Sequence, residues 1–140
     1  MLRVTVDTNL LISGLNFRRG KPFEVLELAR NGKINMTVSE AILDEMVDVL
    51  QRKFHFTPED ALEARKRVQA MARTATPAVT LDVIKEDPAD NRILECAVAA
   101  GSDCIVTGDK DLLRLKRYDS IRILNASDLL DLVKAQGREI

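Results

Sequence analysis

The amino-acid sequence predicts an α/β fold, a three-layer α/β/α sandwich around a mostly parallel central sheet. Short apolar runs alternate with amphipathic helical segments along the chain. Parallel strands need such crossovers, because each one must bring the chain back to the edge where the previous strand began. The chain has 140 residues, which suits one domain with one hydrophobic core. We therefore expect a single domain over residues 1–140.

Composition limits the kind of protein this can be. Hydrophobic residues make up 46% of the chain and charged residues 31%, as in compact globular proteins. The net charge of −1 argues against strongly basic, charge-driven nucleic-acid binders. No run approaches the roughly 20 apolar residues of a membrane span, and no apolar signal core follows the amino terminus. We expect a cytoplasmic protein without membrane attachment.

The first half of the chain predicts two strands and four helices. Alternating Leu2, Val4 and Val6 favour a strand that stops at Asp7, and Ser39 is a good helix N-cap. A Thr-Pro-Glu sequence at 57–59 predicts the start of another helix. The expected strands cover residues 2–6 and 34–38. The expected helices cover 10–15, a segment with Phe23, Leu26 and Leu28 that ends at the Asn-Gly-Lys sequence of 31–33, 40–53, and 58 to about 73.

The second half predicts three strands, two helices and a disordered terminus. Asp87 and Pro88 favour a helix that ends at Gly101, and the clearest strand of the chain follows it. The expected strands cover 78–83, 104–107 and 121–124, the closing helix covers 127–134, and disorder is expected only within 136–140. Cys96 and Cys104 match no metal or redox spacing, which predicts small, buried, reduced side chains.

Two aspartates follow predicted strands that lie far apart in the sequence. Asp7 ends the first strand, and Asp109 comes two residues after the strand at 104–107. Ligands of α/β sheets gather at the carboxyl ends of the strands, so we expect both carboxylates at one edge of the sheet. The alternative for Asp7 is a cap for the next helix, a role that Asp, Thr and Asn commonly fill.

Two further helices carry acids beside their apolar faces. Asp90 shares a predicted face with Ile93, Leu94, Ala97 and Val98, and an inward carboxylate is costly unless it is paired or binds a cation. Asp87 fits a helix cap. In the helix after Ser39, Asp44 and Asp48 lie opposite the apolar face, whereas Glu40 and Glu45 flank its two borders. Periodicity does not choose between these two glutamates.

Several carboxylates at one sheet edge favour a hard divalent cation. Mg²⁺ and Mn²⁺ prefer oxygen ligands, often a few carboxylates completed by water. The chain has one histidine and no cysteine spacing typical of zinc. A carboxylate cluster with such a cation suits attack of water on a phosphodiester.

Four stretches of the chain, in this order and spacing, resemble the PIN domain family: VTVDTNLLISGL, SEAILDEMVDVL, DPADNRILECAVAAGSDCIVTGDKDLL and IRILNASDLL. The likeness runs over nearly the whole chain and is greatest to the small prokaryotic VapC-like proteins regarded as toxins of toxin–antitoxin pairs. The resemblance implies a PIN-like fold and a ribonuclease that depends on Mg²⁺ or Mn²⁺. It also implies an RNA substrate, an antitoxin protein as partner and a homodimer.

The resemblance also implies site residues. It assigns the catalytic acids and chooses Glu45 over Glu40. Asp7 and Asp109 would hold the metal, Asp90 would bind it directly or through water, and Glu45 would orient water or a second ion. The implied catalytic set is Asp7, Glu45, Asp90 and Asp109, and the accessory set that positions ligands or phosphate is Thr8, Asn9, Thr107 and Asp111.

Three alternatives to the nuclease remain at the level of sequence. A haloacid-dehalogenase-like phosphatase needs an aspartate two residues after its nucleophile, where this chain has Asn9. A response-regulator receiver needs an acidic pair at the end of the first strand. A non-catalytic PIN-fold module that binds RNA or protein could use the acids as caps, and an acid-dependent metal site would distinguish the nuclease from it.

Overall fold

The computed structural model describes residues 1–138 and confirms the predicted α/β/α class. Its sheet runs in the order β3-β2-β1-β4-β6-β5. Neighbouring strands are parallel except for β5, which is antiparallel to β6. The strands are β1 (Arg3–Val6), β2 (Asn35–Ser39), β3 (Ala72–Ala75), β4 (Cys104–Val106), β5 (Arg117–Tyr118) and β6 (Ile121–Leu124).

Helices flank this sheet and connect its strands. They are α1 (Thr8–Asn16), α2 (Lys21–Arg30), α3 (Glu40–Phe54), α4 (Pro58–Met71), α5 (Asp90–Ala100), α6 (Lys110–Leu115) and α7 (Ala126–Arg138). The Ser39 side chain accepts from the amide of Ile42 and the Thr57 side chain from that of Asp60, as the cap assignments predicted. Within residues 1–138, no helix has the length and apolar character to span a membrane.

The hydrophobic core surrounds β1. Val4 and Val6 point to one face of the sheet and Thr5 to the other, and all three are completely buried. The hydroxyl of Thr5 shares a 2.8 Å hydrogen bond with that of Ser102, which follows α5. Both faces of the strand are therefore covered, as expected for the centre of a parallel sheet.

The strand order reverses direction between β1 and β4. From β1, the chain places β2 and β3 to one side and β4 and β6 to the other. Such a switch point leaves a crevice outside the carboxyl ends of the two strands. The amide of Asp7 donates to the carbonyl of Val106 at 3.0 Å, so both strands end at the same level. The side chains after Val6 and Val106 therefore meet at this crevice.

The prediction of a strand at 78–83 is wrong. The third strand is β3, which pairs with β2 where a helix end was predicted. Residues 78–83 have no regular structure because side chains of α5 take their backbone amides. Glu95 Oε2 accepts from the amide of Leu81 at 2.7 Å, and Asn91 Oδ1 accepts from that of Val83 at 2.9 Å.

Several helix boundaries also differ from prediction. Helix α1 begins at Thr8, two residues early, and α5 begins at Asp90 because Pro88 and Ala89 form a turn. Val98, expected on the buried face of α5, is 40% exposed. Of the residues expected to be disordered, 136–138 belong to α7, and 139–140 lie outside the described residues.

Candidate functional site

Three carboxylates converge in the crevice at the ends of β1 and β4. One oxygen each from Asp87, Asp90 and Asp109 lies within 4.8 Å of the others. Asp90 is 6% exposed, and its Oδ2 is a buried atom without a hydrogen-bond partner among the described residues. Burial, together with the charges of the Asp109 and Asp87 carboxylates, raises the pKa of Asp90 to about 8. These conditions are costly for a bare anion and favour a bound cation.

Asp109 joins this cluster from the loop after β4. Its Oδ1 accepts hydrogen bonds from the amides of Asp111 at 2.8 Å and Leu112 at 3.2 Å, which caps α6. Its own amide donates to Thr107 Oγ1 at 2.9 Å. The side chain that caps the helix is therefore also one of the three converging carboxylates.

Asp7 lies next to the cluster at the end of β1. It is 5% exposed, and its side chain makes no capping hydrogen bond to α1, so the cap interpretation does not account for it. Its Oδ2 instead accepts a 2.6 Å hydrogen bond from the hydroxyl of Thr107. Burial raises the pKa of Asp7, the Thr107 hydrogen bond lowers it, and the charge of Asp109 raises it. Of the metal set expected from the sequence, Asp90 and Asp109 belong to the group of three, whereas Asp7 lies outside it and is connected to Asp109 through Thr107. Asp87 is the third member of the group.

Helix α3 presents Glu45, and not Glu40, to the crevice. Glu45 is half-buried, and its Oε2 lies 3.4 Å from the Thr8 hydroxyl that donates to it. Burial raises the pKa of Glu45, and the charge of Asp7 adds to this shift. Glu40 is 62% exposed and pairs with Arg65. Tertiary structure thus distinguishes two residues that periodicity could not.

The two remaining accessory candidates lie at the border of the site. Asn9 and Asp111 both line a cleft that adjoins Asp109. The carboxylate of Asp111 lies outside the group of three and is 3.2 Å from the guanidinium of Arg114. All four accessory candidates therefore lie close to the acids, although each makes different contacts: Thr8, Asn9, Thr107 and Asp111.

Asp87 is the site residue that the sequence interpretation missed. It was expected to cap a helix, and its Oδ1 does accept from the amide of Ala89 at 3.2 Å, in a turn before α5. The spacing Asp-Pro-Ala-Asp is compatible with a turn at Pro88 that brings the first carboxylate close to the fourth residue, but it does not require that turn. Asn91, which is 1% exposed, fixes this segment through hydrogen bonds to the backbones of residues 83, 84 and 88.

The two cysteines are free and buried, as expected. Burial raises the pKa of Cys96 to about 11 and also raises that of Cys104. Both thiols therefore stay protonated at neutral pH, which disfavours reactivity.

Comparison with known proteins agrees with this geometry. The family model for the PIN domain matches residues 3–111. An uncharacterized protein of Methanocaldococcus jannaschii is 28% identical over 119 residues, which cover 82% of this chain and 76% of the relative. The structure of VapBC2 from Rickettsia felis, bound to a DNA fragment from its promoter, superposes with a TM-score of 0.64 at 16% identity, over 89% of this chain and 98% of that one. The chain belongs to the PIN domain family.

Proposed function

We propose that this protein is an endoribonuclease that hydrolyses RNA phosphodiesters with Mg²⁺ or Mn²⁺. The observation that carries the proposal is the convergence of Asp87, Asp90 and Asp109 around a buried oxygen of Asp90 that has no hydrogen-bond partner within residues 1–138. Family membership supports the nuclease class. The same membership disfavours the phosphatase and receiver alternatives.

The donor set fits a hard divalent cation. The three converging ligand atoms are all carboxylate oxygens, which Mg²⁺ and Mn²⁺ prefer. Asp87, Asp90 and Asp109 would hold the cation, and Asp7 would bind it directly or through a shared water. When bound, the cation supplies positive charge that stabilises a phosphodiester transition state and acidifies water.

The remaining polar side chains have positioning roles in this proposal. Thr107 fixes the Asp7 carboxylate and the Asp109 backbone by its two hydrogen bonds. Glu45, held near Thr8, would orient the attacking water and accept its proton, or bind a second ion. The raised pKa of Glu45 suits a general base, because a base works best when its pKa approaches the working pH.

A toxin role is the finer part of the proposal. The VapC-like sequence resemblance and the similar fold of VapBC2 support a toxin of a toxin–antitoxin pair. An antitoxin protein would then be the partner, and we expect a homodimer in the cytoplasm. The second candidate function is a non-catalytic module that binds RNA or protein, and it predicts no acid-dependent metal site.

The first test incubates purified protein with mixed single-stranded RNAs in Mn²⁺, in Mg²⁺ and in EDTA. Asp7→Asn is run in parallel, with Asp44→Asn as the matched control because Asp44 is 73% exposed on α3. We expect cleavage only with metal, its loss in Asp7→Asn and its retention in Asp44→Asn. Equal behaviour of all three proteins under every condition would overturn the nuclease proposal and favour the binding module.

A further inference from the structure

A recess of about 430 Å³ lies at the end of the sheet opposite to the acids. Arg3 and Asn35, the first residues of β1 and β2, form part of its wall, and Ala100 at the end of α5 forms another part. Asp7 follows Arg3 by four residues, or about 13 Å along an extended strand. The volume lies within the range of about 300–1,000 Å³ that is usual for ligand sites. The recess is therefore a separate cavity from the acidic crevice.

Strand register directs two arginines into this recess from its two sides. Arg3 of β1 lies opposite Asn35 of β2, and Thr37 of β2 lies opposite Arg73 of β3. Side chains of paired residues point to the same face of a sheet, as do side chains two positions apart on one strand. Only β2 separates β1 from β3, so the two arginines are two strand spacings apart, about 10 Å across the sheet. A small anion between them can meet both guanidinium groups.

The polar side chains of the recess have few partners within residues 1–138. Arg73 forms no ion pair there, and no carboxylate of this part of the chain lines the recess. The guanidinium of Arg3 makes one contact, a 3.5 Å hydrogen bond to the carbonyl of Gly101. Thr37 is 7% exposed, and its hydroxyl has no hydrogen-bond partner among the described residues. A buried hydroxyl without a partner is costly, which favours a ligand that accepts from it.

We propose that this recess binds a small phosphorylated metabolite, with its phosphate monoester between Arg3 and Arg73. Such a group carries a charge of about −1.5 to −2 at pH 7 and three acceptor oxygens. The charge matches two guanidinium groups, which bind phosphate through paired hydrogen bonds, and Thr37 donates to the third oxygen. A carboxylate has one charge and two oxygens, and so leaves part of this donor set unused. The site does not depend on the proposed nuclease function.

Calorimetric titration in EDTA, at constant ionic strength, tests the recess without metal at the acids. The probes are ribose 5-phosphate, AMP and inorganic phosphate, with ribose and succinate as controls. Arg73→Gln removes one guanidinium of the recess. Arg122→Gln is the matched control, because Arg122 is also an exposed arginine of a strand. It pairs with Cys104, which pairs with Val4, so it lies on the other face of the sheet.

We expect both esters to bind wild-type protein more tightly than inorganic phosphate does, and ribose not to bind. Arg73→Gln should weaken ester binding at least tenfold and Arg122→Gln should leave it unchanged. The tighter ester identifies the source of the phosphate: AMP indicates a nucleotide, and ribose 5-phosphate indicates a sugar phosphate. Absence of ester binding by the wild type, equal loss in the two variants, or equally tight binding of succinate or inorganic phosphate would overturn the proposal.

Thr37→Val separates a ligand contact from a structural role. It should weaken ester binding about tenfold, the usual effect of losing a hydrogen bond to a charged group. Without ligand it should keep or raise the free energy of unfolding in urea, because the lost hydroxyl has no partner in the chain. Destabilisation without a change in ester affinity would overturn the role of Thr37 in binding.

Backbone amide shifts in nuclear magnetic resonance spectra locate the bound ester. The amides of residues 35–37 and 73–75 should shift when ribose 5-phosphate or AMP is added in EDTA, and those of residues 109–111 should not. Shifts confined to residues 109–111 would place the ester in the acidic crevice and overturn the proposal.

Discussion

The hydroxyl of Thr107 donates a 2.6 Å hydrogen bond to Asp7 Oδ2. The same oxygen of Thr107 accepts from the amide of Asp109 at 2.9 Å. One buried threonine thus connects the end of β1 with the loop after β4, across the switch point of the sheet. The relative positions of two acids, 102 residues apart in the sequence, depend on this hydroxyl.

Thr107→Val should weaken Mn²⁺ binding about tenfold or more, the usual effect of losing a group that orients metal ligands. The hydrogen bond lowers the pKa of Asp7, so its loss should raise that pKa further. Thr5→Val is the control, since Thr5 is also buried and bonded to a hydroxyl, that of Ser102. Both variants should lose about 0.5–1.5 kcal/mol of unfolding free energy, measured in urea. Equal Mn²⁺ affinity in both would contradict the positioning role.

In metal-free protein, the free energy of unfolding should fall as the pH rises from about 4 to about 8. The pKa of Asp90 increases from its ordinary 3.8 to about 8 in the folded chain. Between these values the folded state binds more protons than the unfolded state, so stability decreases with pH. The contribution is complete below the unfolded pKa and is lost above the folded one. Asp7 and Glu45, whose pKa values are also raised, act in the same direction.

Urea denaturation in EDTA across this pH window measures the effect. Asp90→Asn should flatten the profile, because an amide does not titrate. Asp103→Asn, an exposed substitution outside the site, should keep the wild-type slope. Parallel profiles for Asp90→Asn and wild type would show that Asp90 does not bind the extra proton.

The strands that build the site could be predicted because they are buried on both faces. Residues 104–106 form a continuous apolar run, and the acids after it mark its end. The edge strand β3 has the sequence Ala-Arg-Thr-Ala, which contains no continuous apolar run. It is a strand because its backbone pairs with β2, and the sequence carries no signal for this pairing. Residues 78–83 have strand-like composition, but side chains of α5 bind their amides, and tertiary contacts of this kind override propensity.

The acids themselves were visible in the sequence, whereas their contacts were not. Strand ends place Asp7 and Asp109 at one edge, because parallel strands share a direction. Glu40 and Glu45 border the same helical face, and only the packing of α3 against α1 and α4 separates them. Asp87 resembles a cap in sequence and makes a cap-like hydrogen bond. Its second role depends on a turn whose geometry the spacing alone does not specify.

Asn91→Ala should release the segment that carries Asp87. The side chain of Asn91 binds the backbones of Val83, Ile84 and Pro88, and its loss leaves buried groups unpaired, at a cost of about 1–3 kcal/mol each. Hydrogen exchange of the amides of Val83 and Ile84 should accelerate, and Mn²⁺ affinity should fall.

Asn125→Ala provides the comparison for this release. Asn125 Oδ1 accepts from the amide of Asp128 at the start of α7. Its removal deletes a helix cap and should lower the free energy of unfolding by about 1 kcal/mol. It should leave exchange in residues 83–84 and the affinity for Mn²⁺ unchanged. Unaltered exchange in Asn91→Ala would show that other contacts hold the segment.

Asp109→Asn and Asp111→Asn should differ in metal binding although each removes one negative charge. Asparagine caps helices as well as aspartate, so Asp109→Asn should preserve α6 and yet lower Mn²⁺ affinity about tenfold or more. Asp111 lies outside the three-carboxylate group and pairs with Arg114, a partly exposed ion pair worth about 0–1 kcal/mol. Calorimetric titration with Mn²⁺ compares the two. A similar loss of affinity in both variants would point to general charge rather than to the cluster.

Glu45→Gln and Glu40→Gln test which glutamate of α3 takes part in cleavage. Glu45 is half-buried near Thr8 and Asp7, and removal of a general base typically costs about a hundredfold or more in rate. Its amide analogue should therefore lower kcat on RNA strongly, with a smaller change in KM. Glu40 is exposed and contacts Arg65 of α4, so Glu40→Gln should leave kcat at the wild-type value. A large loss of kcat in Glu40→Gln, or normal turnover in Glu45→Gln, would reverse the assignment and move the catalytic contribution of α3 to its exposed face.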